Sequence, residues 1–274
     1  MVSAVLKAYA SGQFFGETWG SGTPEVMALH GWRRSHADFA AAFAAGAQPA
    51  GKTQPAGAQP AGATQPAGAQ PAVLALDLPG HGATPPPPER WGSPQYAEAL
   101  EPVLDEMSDG IVVVGHSLGG RIAVELAAAH PDRVAALVLV GAPLFRPGGA
   151  HVRTAPGYRV VRRLAKLGVV SDQRLEAARQ RYGSTDYKAA EGVMRDVFVT
   201  LVGERYDEAL RAITCPISLV WGQLDSDVPL DVAEQIASVV SRSTLTVLEG
   251  VGHLVPTEAP EALRTAVSAA IDAR

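Results

Sequence analysis

The sequence predicts an α/β fold, a mostly parallel central sheet of about eight strands flanked by helices with an inserted helical cap. Three observations carry it. Ile111-Val112-Val113-Val114, Ala135 to Val140 and Pro216 to Trp221 are apolar runs without polar alternation, the pattern of strands buried on both faces. Helical patterns separate such runs, as a parallel sheet requires. From Leu144 to Thr214 the chain is far longer than the dozen or so residues of a simple crossover, and it carries helical stripes of its own. The expected division is a core of residues 1–143 and 216–274 with a cap at 144–215. A length of 274 residues with 47% hydrophobic composition suffices for one large core.

Composition narrows the function classes. A net charge of −5 gives no reason to expect a nucleic-acid partner. No apolar run approaches the length needed to span a bilayer, and Met1 to Lys7 lacks the continuous apolar stretch of a signal peptide. The expectation is a soluble, cytoplasmic protein that acts on a small molecule, with nothing in the pattern to specify an oligomeric state. The single cysteine, Cys215, leaves no intramolecular disulfide and reads as a small buried residue. No His/Cys/Asp cluster has metal-ligand spacing, and no cofactor is expected.

Taken in order, Val5 to Tyr9 and Gln13 to Trp19 read as antiparallel strands separated by Ser11-Gly12. Pro24 to Leu29 is another short apolar run, ending at His30-Gly31-Trp32, and Arg33 to Phe43 reads as a helix with Phe39, Ala42 and Phe43 on one side. The glycine lets backbone approach a ligand closely, so the Trp32 amide is a candidate to face Ser117. Residues 48–72 then carry a repeat, QPAGKTQPAGA followed by QPAGATQPAGA and the start of a third copy. It has no apolar period, contains no secondary structure of its own and reads as a surface loop inserted within a βα unit. Its cost in loop-closure entropy is about 1 kcal/mol.

Val73 to Asp77 resumes the sheet and ends in the sharp turn DLPGHG, where Asp77 and His81 read as turn-forming and loop residues. Ser93-Pro94 opens a helix as cap and first residue, with Leu100, Val103, Leu104 and Met107 at helical spacing. The strand at Ile111 breaks at Gly115-His116-Ser117-Leu118-Gly119 into an alanine-rich helix reaching His130. Within 144–215, one stripe is Val160, Val161, Leu164 and Leu167, another is Val193, Val197, Phe198 and Leu201, and Leu210 and Ile213 end a third. The stretch from Leu144 to Arg181 holds nine basic residues against two acids, read as solvated helix faces or as attraction for an anionic substrate. After Trp221, Asp225 is the first carboxylate past the strand end. Leu230 to Val240 reads as a helix, Thr244 to Leu248 as the last strand, and His253 follows on a glycine-flanked loop before an amphipathic terminal helix.

Gly-x-Ser-x-Gly between a buried strand and a helix lifts a hydroxyl out of the sheet and aims helix N-terminal amides at it. Ser117, Asp225 and His253 all stand past strand ends, and in an open α/β sheet those ends meet in one crevice. A serine hydroxyl is a weak nucleophile until an imidazole takes its proton, and a buried carboxylate holds that imidazole. The candidate catalytic residues are therefore Ser117, Asp225 and His253, with the amides of Trp32 and Leu118 as oxyanion donors. Asp227 is the rival acid, two residues further from the strand. His30 and His116 read as motif neighbours that shape backbone, His36 as a helix residue and His151 as part of the cap.

His30-Gly31-Trp32, DLPGHG at Asp77 to Gly82, GHSLGG at Gly115 to Gly120, WGQLD at Trp221 to Asp225 and GHLVPTEAPE at Gly252 to Glu261 together resemble the α/β-hydrolase fold superfamily. The likeness implies Ser117 as nucleophile, Asp225 as acid, His253 as base and Trp32 and Leu118 as oxyanion amides. It disfavours the members with an aspartate nucleophile, because Ser117 holds that place. The expected activity is hydrolysis of small to medium carboxylic esters through an acyl-enzyme. C–C bond hydrolases, aminopeptidases and cofactor-free haloperoxidases share the resemblance, and a slow-turnover ligand sensor or an acyltransferase are readings from other classes.

Overall fold

The computed structural model describes residues 6–44, 71–145, 164, 169–182 and 184–274. The strands are β1 (Lys7–Tyr9), β2 (Phe14–Trp19), β3 (Val26–Leu29), β4 (Val73–Asp77), β5 (Ile111–His116), β6 (Val134–Val140), β7 (Ile217–Gly222) and β8 (Ser243–Leu248). They form one eight-stranded sheet in the order β1-β2-β4-β3-β5-β6-β7-β8. β2 pairs antiparallel with β1 and β4, and every other pairing is parallel. This is the mostly parallel α/β sheet the apolar runs predict. The central strands are buried on both faces because helices cover both sides.

Residues alternate between two cores along each central strand. Met27, Leu29, Ile111 and Val113 pack on one side of the sheet, with helices α2 (Ser93–Ala99), α3 (Glu101–Leu104) and α4 (Leu118–Ala129). Val26, Ala28, Val112 and Val114 pack on the other, with α1 (Ala40–Phe43) and the C-terminal helix (Pro260–Asp272). Each such side chain fully removed from water contributes about 1.5–3 kcal/mol.

Two helices differ from the sequence reading. The segment from Arg33 to Phe43 is not one helix. Arg33 has φ 57° and the Arg34 N–H closes a turn on the Gly31 carbonyl, so a 3-10 turn begins only at His36 and α1 at Ala40. The helix opened at Ser93 is capped by Gly92, whose N–H donates to Gln95 Oε1 at 2.8 Å, and it stops at Ala99. Pro102 has no N–H to continue the ladder, and α3 is a separate turn.

Between β6 and β7 lie α5 (Asp172–Tyr182), α6 (Thr185–Ala189), α7 (Gly192–Gly203) and α8 (Asp207–Ala212). Val197 and Leu201 of α7 and Leu210 of α8 are buried in the same core as α2 and α4. Glu204 joins these helices to the sheet domain, accepting hydrogen bonds from the Ser93 N–H (2.9 Å), the Ser93 hydroxyl (2.6 Å) and the Tyr206 hydroxyl (2.6 Å). The repeat, His151, the stripe residues Val160, Val161 and Leu167 and most of the basic stretch lie outside the described residues. Helix α9 (Leu230–Val239) follows β7, and α10 (Val255–Glu258) and α11 (Pro260–Asp272) follow β8. No helix among the described residues is long and apolar enough to cross a membrane.

Candidate active site

Ser117 stands between β5 and α4 with φ 51° and ψ −108°, a conformation that costs a non-glycine residue about 1–3 kcal/mol and persists only when its surroundings impose it. They do. The Ser117 N–H donates to Val140 O (2.9 Å), the Gly119 N–H to His30 O (3.0 Å) and the Gly120 N–H to Ser117 O (3.1 Å). Helix and sheet approach so closely here that a Cβ on Gly119 would stand 2.0 Å from Leu29 O, and one on Gly115 2.5 Å from Gly119 O. That contact is the physical content of the Gly-x-Ser-x-Gly spacing.

The twelve-residue helix α4 presents its N-terminus at the serine. Neither the Leu118 nor the Trp32 amide has a backbone or side-chain acceptor among the described residues, and Ser117 Oγ makes no hydrogen bond there either.

Past β7, Asp225 folds back on its own loop. Its Oδ1 accepts the N–H groups of Asp227 (3.0 Å) and Val228 (2.8 Å), and its Oδ2 lies 2.8 Å from His253 Nδ1. The Asp225 carboxylate is 1% exposed; Asp227 is exposed and contributes only its amide. Because a carboxylate can only accept, Nδ1 of neutral His253 carries the proton and Nε2 is left bare. The loop bearing His253 is pinned by Glu258, whose two oxygens accept the Gly252 N–H (2.6 Å) and the Leu254 N–H (3.3 Å). A Cβ on Gly141, at the end of β6, would touch the His253 ring at 3.1 Å and Asp225 Oδ2 at 3.2 Å. One residue before the serine, the His116 ring lies 4.9 Å from that of His253.

Two further histidines shape the other side. His30 donates from Nδ1 to the Gly31 carbonyl (2.7 Å) and accepts the Leu78 N–H at Nε2 (2.9 Å), so its neutral tautomer is defined by its partners. Burial, reinforced by His81, lowers its pKa to about 3. It stitches the turn bearing Trp32 to the DLPGHG turn. His36 sits between carboxylates: Nδ1 is 2.8 Å from Asp77 Oδ1 and Nε2 is 3.8 Å from Glu17 Oε2. The hydrogen bond to Asp77 raises the His36 pKa against the opposing effect of burial. Burial pushes the Asp77 carboxyl up, but bonds from the His36 ring and from the N–H groups of Ala83 and His36 bring it below its usual value.

Sequence reading had no means to pair His36 with Asp77 or Glu17. These residues are far apart in the chain and carry no motif together. It also missed the clamp of Glu258 and the packing of the Trp32 indole, whose ring lies 5.0 Å from His81 and 5.2 Å from Phe198 of α7. Among the described residues no group of three or more His, Cys, Asp or Glu side chains is gathered to hold a metal ion.

A mostly parallel sheet with a strained serine at its central strand end, an aspartate–histidine pair two and three strands away, and unengaged amides at a helix N-terminus (Leu118) and in the turn after β3 (Trp32) defines an α/β enzyme built around its strand ends. The chain belongs to the alpha/beta hydrolase family, whose model matches residues 26–266. It is 35% identical over 167 residues to the lipase LipV of Mycobacterium tuberculosis, a match covering 58% of this chain and 59% of that one. It is 31% identical over 207 residues to a pimeloyl-[acyl-carrier protein] methyl ester esterase of Aromatoleum aromaticum, covering 64% of this chain and 78% of the other. A bromoperoxidase from Bacillus anthracis has the same fold, with a TM-score of 0.65 at 18% identity and coverage of 98% of this chain and 100% of that one.

Proposed function

We propose that this protein hydrolyses small to medium carboxylic esters through an acyl-enzyme on Ser117, with His253 as general base and Asp225 as the carboxylate that orients it. One observation carries the reading: the 2.8 Å bond from His253 Nδ1 to a buried carboxylate leaves Nε2 as the basic nitrogen, on a ring beside the strand end that bears a strained serine. Ester hydrolysis is also what the names of the lipase and the methyl ester esterase suggest.

In this mechanism His253 Nε2 takes the Ser117 proton as Oγ adds to the ester carbonyl carbon. The carbonyl oxygen becomes an oxyanion that accepts the N–H groups of Trp32 and Leu118, each worth about 3 kcal/mol when preorganised. Collapse breaks the bond to the alkoxy group, which leaves as the alcohol with the proton from His253. Water then adds to the acyl carbon, giving its proton to Nε2, and the second collapse returns that proton to Ser117 as the acid departs. Asp225 stabilises the imidazolium in both halves without itself being protonated.

Segment 144–215 acts as a cap that forms one wall of the substrate pocket. The Trp32–Phe198 contact and the packing of Met194 against Gly80 support this, because both join α7 to loops at the strand ends. The test is a series of p-nitrophenyl esters of graded acyl length with the wild type and Ser117→Ala. Turnover on at least part of the series, with kcat lower by about 10⁶-fold in the variant, is expected. Activity that survives the substitution refutes the assignment.

A further inference from the structure

His116 is 1% exposed, in the last position of β5. Its Nε2 lies 2.9 Å from the carbonyl oxygen of His253. A carbonyl only accepts, so Nε2 carries the proton; burial, then the neighbouring His253, lowers the pKa to about 3 and keeps the ring neutral. Nδ1 is then a bare acceptor, and it is buried with no hydrogen-bond partner among the described residues. An unpaired buried nitrogen is a cost that a phenylalanine or leucine at this position would not incur. The compensation lies in the bond made by the other nitrogen.

That bond has a particular place. The ring of His253 is held by Asp225, and the amides on either side of it are held by Glu258. His116 holds the carbonyl of the same residue, and His116 is covalently joined to Ser117. The bond therefore runs from the backbone of the serine turn to the backbone of the histidine loop through a single side chain. Space for the ring exists because residue 31 is glycine: a Cβ there would stand 3.0 Å from His116 Nδ1 and 3.3 Å from Ser117 Cβ.

We propose that His116 is a positioning residue, a neutral Nε2–H donor that sets the His253 loop in register with Ser117. The proposal rests on the acyl-enzyme reading above, since register between these two residues matters only if they exchange a proton. A shift of about 1 Å in such a pair costs about 100-fold in rate.

The experiment compares His116→Phe and His116→Met, which fill the space without a donor, with His116→Gln, whose amide nitrogen can reach the same carbonyl. Thermal unfolding is measured for each, together with kcat, KM and the rate of modification by a fluorophosphonate. The expected result is a loss of about 100-fold in kcat for the two apolar variants with KM within about threefold, and recovery of most of that loss in the glutamine variant. Modification rates should follow kcat. An apolar variant that folds and keeps kcat within about threefold of wild type overturns the proposal, as does a folded glutamine variant as slow as the apolar ones. The two readings fail differently. If the wild type is labelled on Ser117 and Ser117→Ala is inactive, either of those outcomes removes only the role of His116; a wild type not labelled on Ser117 removes both.

Discussion

Two aspartate–histidine pairs stand at strand ends of the same sheet: Asp77, the last residue of β4, with His36 beyond β3, and Asp225 beyond β7 with His253 beyond β8. In each, Nδ1 meets a carboxylate oxygen at 2.8 Å and the carboxylate side chain is 1% exposed. They differ at the other nitrogen. His36 Nε2 faces Glu17, so its ring lies between two carboxylates and favours the cation, a structural tie between loops. His253 Nε2 has no protein partner among the described residues and its ring lies beside the serine turn. An identical carboxylate–imidazole contact thus serves as a fastener in one place and as a candidate base in the other. What decides is the group opposite the second nitrogen, and a motif match cannot report that.

Substituting each aspartate by asparagine should separate the two pairs most strongly. Asp225→Asn keeps the shape but removes the charge that holds the proton on Nδ1, and kcat is expected to fall by about 10⁴-fold, with a loss of stability because the Asp227 and Val228 N–H groups also lose a charged acceptor. Asp77→Asn should lower stability by about 1–3 kcal/mol because buried donors from His36 and Ala83 lose a charged acceptor, while kcat stays within about tenfold, so the kinetic loss separates the pairs. Equal kinetic losses in the two variants would erase the distinction.

A smaller effect separates the pairs by pH. Asp77 titrates below its ordinary value of 3.8, so its contribution to stability is complete above that pH and is lost as acid takes the pH down through the lowered value. His36 titrates above its ordinary 6.5, so its contribution is complete below 6.5 and is lost as the pH rises through the raised value. The tie is fully held between 3.8 and 6.5. Thermal unfolding of the wild type should therefore weaken by a few degrees as the pH rises above 6.5 and through the raised value, and His36→Gln should lack that part of the decline. Superimposable profiles would mean that His36 does not bear a charge in the folded protein.

The sheet was legible because its central strands are apolar without interruption, and only a sheet covered on both faces accepts Val112, Val113 and Val114 in a row. The strand-end placement of Ser117 and Asp225 was legible for a related reason, since each follows shortly on such a run, whereas His253 follows β8, whose threonines alternate with apolar residues, and was marked by its glycine-flanked loop. Harder features depended on residues distant in the chain. Ser93 looks like a helix cap, yet its hydroxyl is taken by Glu204, over a hundred positions away, and the cap falls to Gly92. Pro102 was already visible as a helix breaker in the sequence, but the apolar spacing of Leu100, Val103 and Leu104 concealed it. His36 and Asp77 lie on opposite sides of the Gln/Pro/Ala/Gly insertion, and only the pairing of β4 with β3 brings their loops together.

Whether an imidazole makes the Ser117 hydroxyl reactive is tested most directly by fluorophosphonate modification, with the labelled peptide identified by mass spectrometry in wild type and in His253→Ala. Label on Ser117 that forms about 10²–10⁴-fold more slowly without the imidazole is the expected result. Equal rates in the two proteins, or label on another residue, would contradict it.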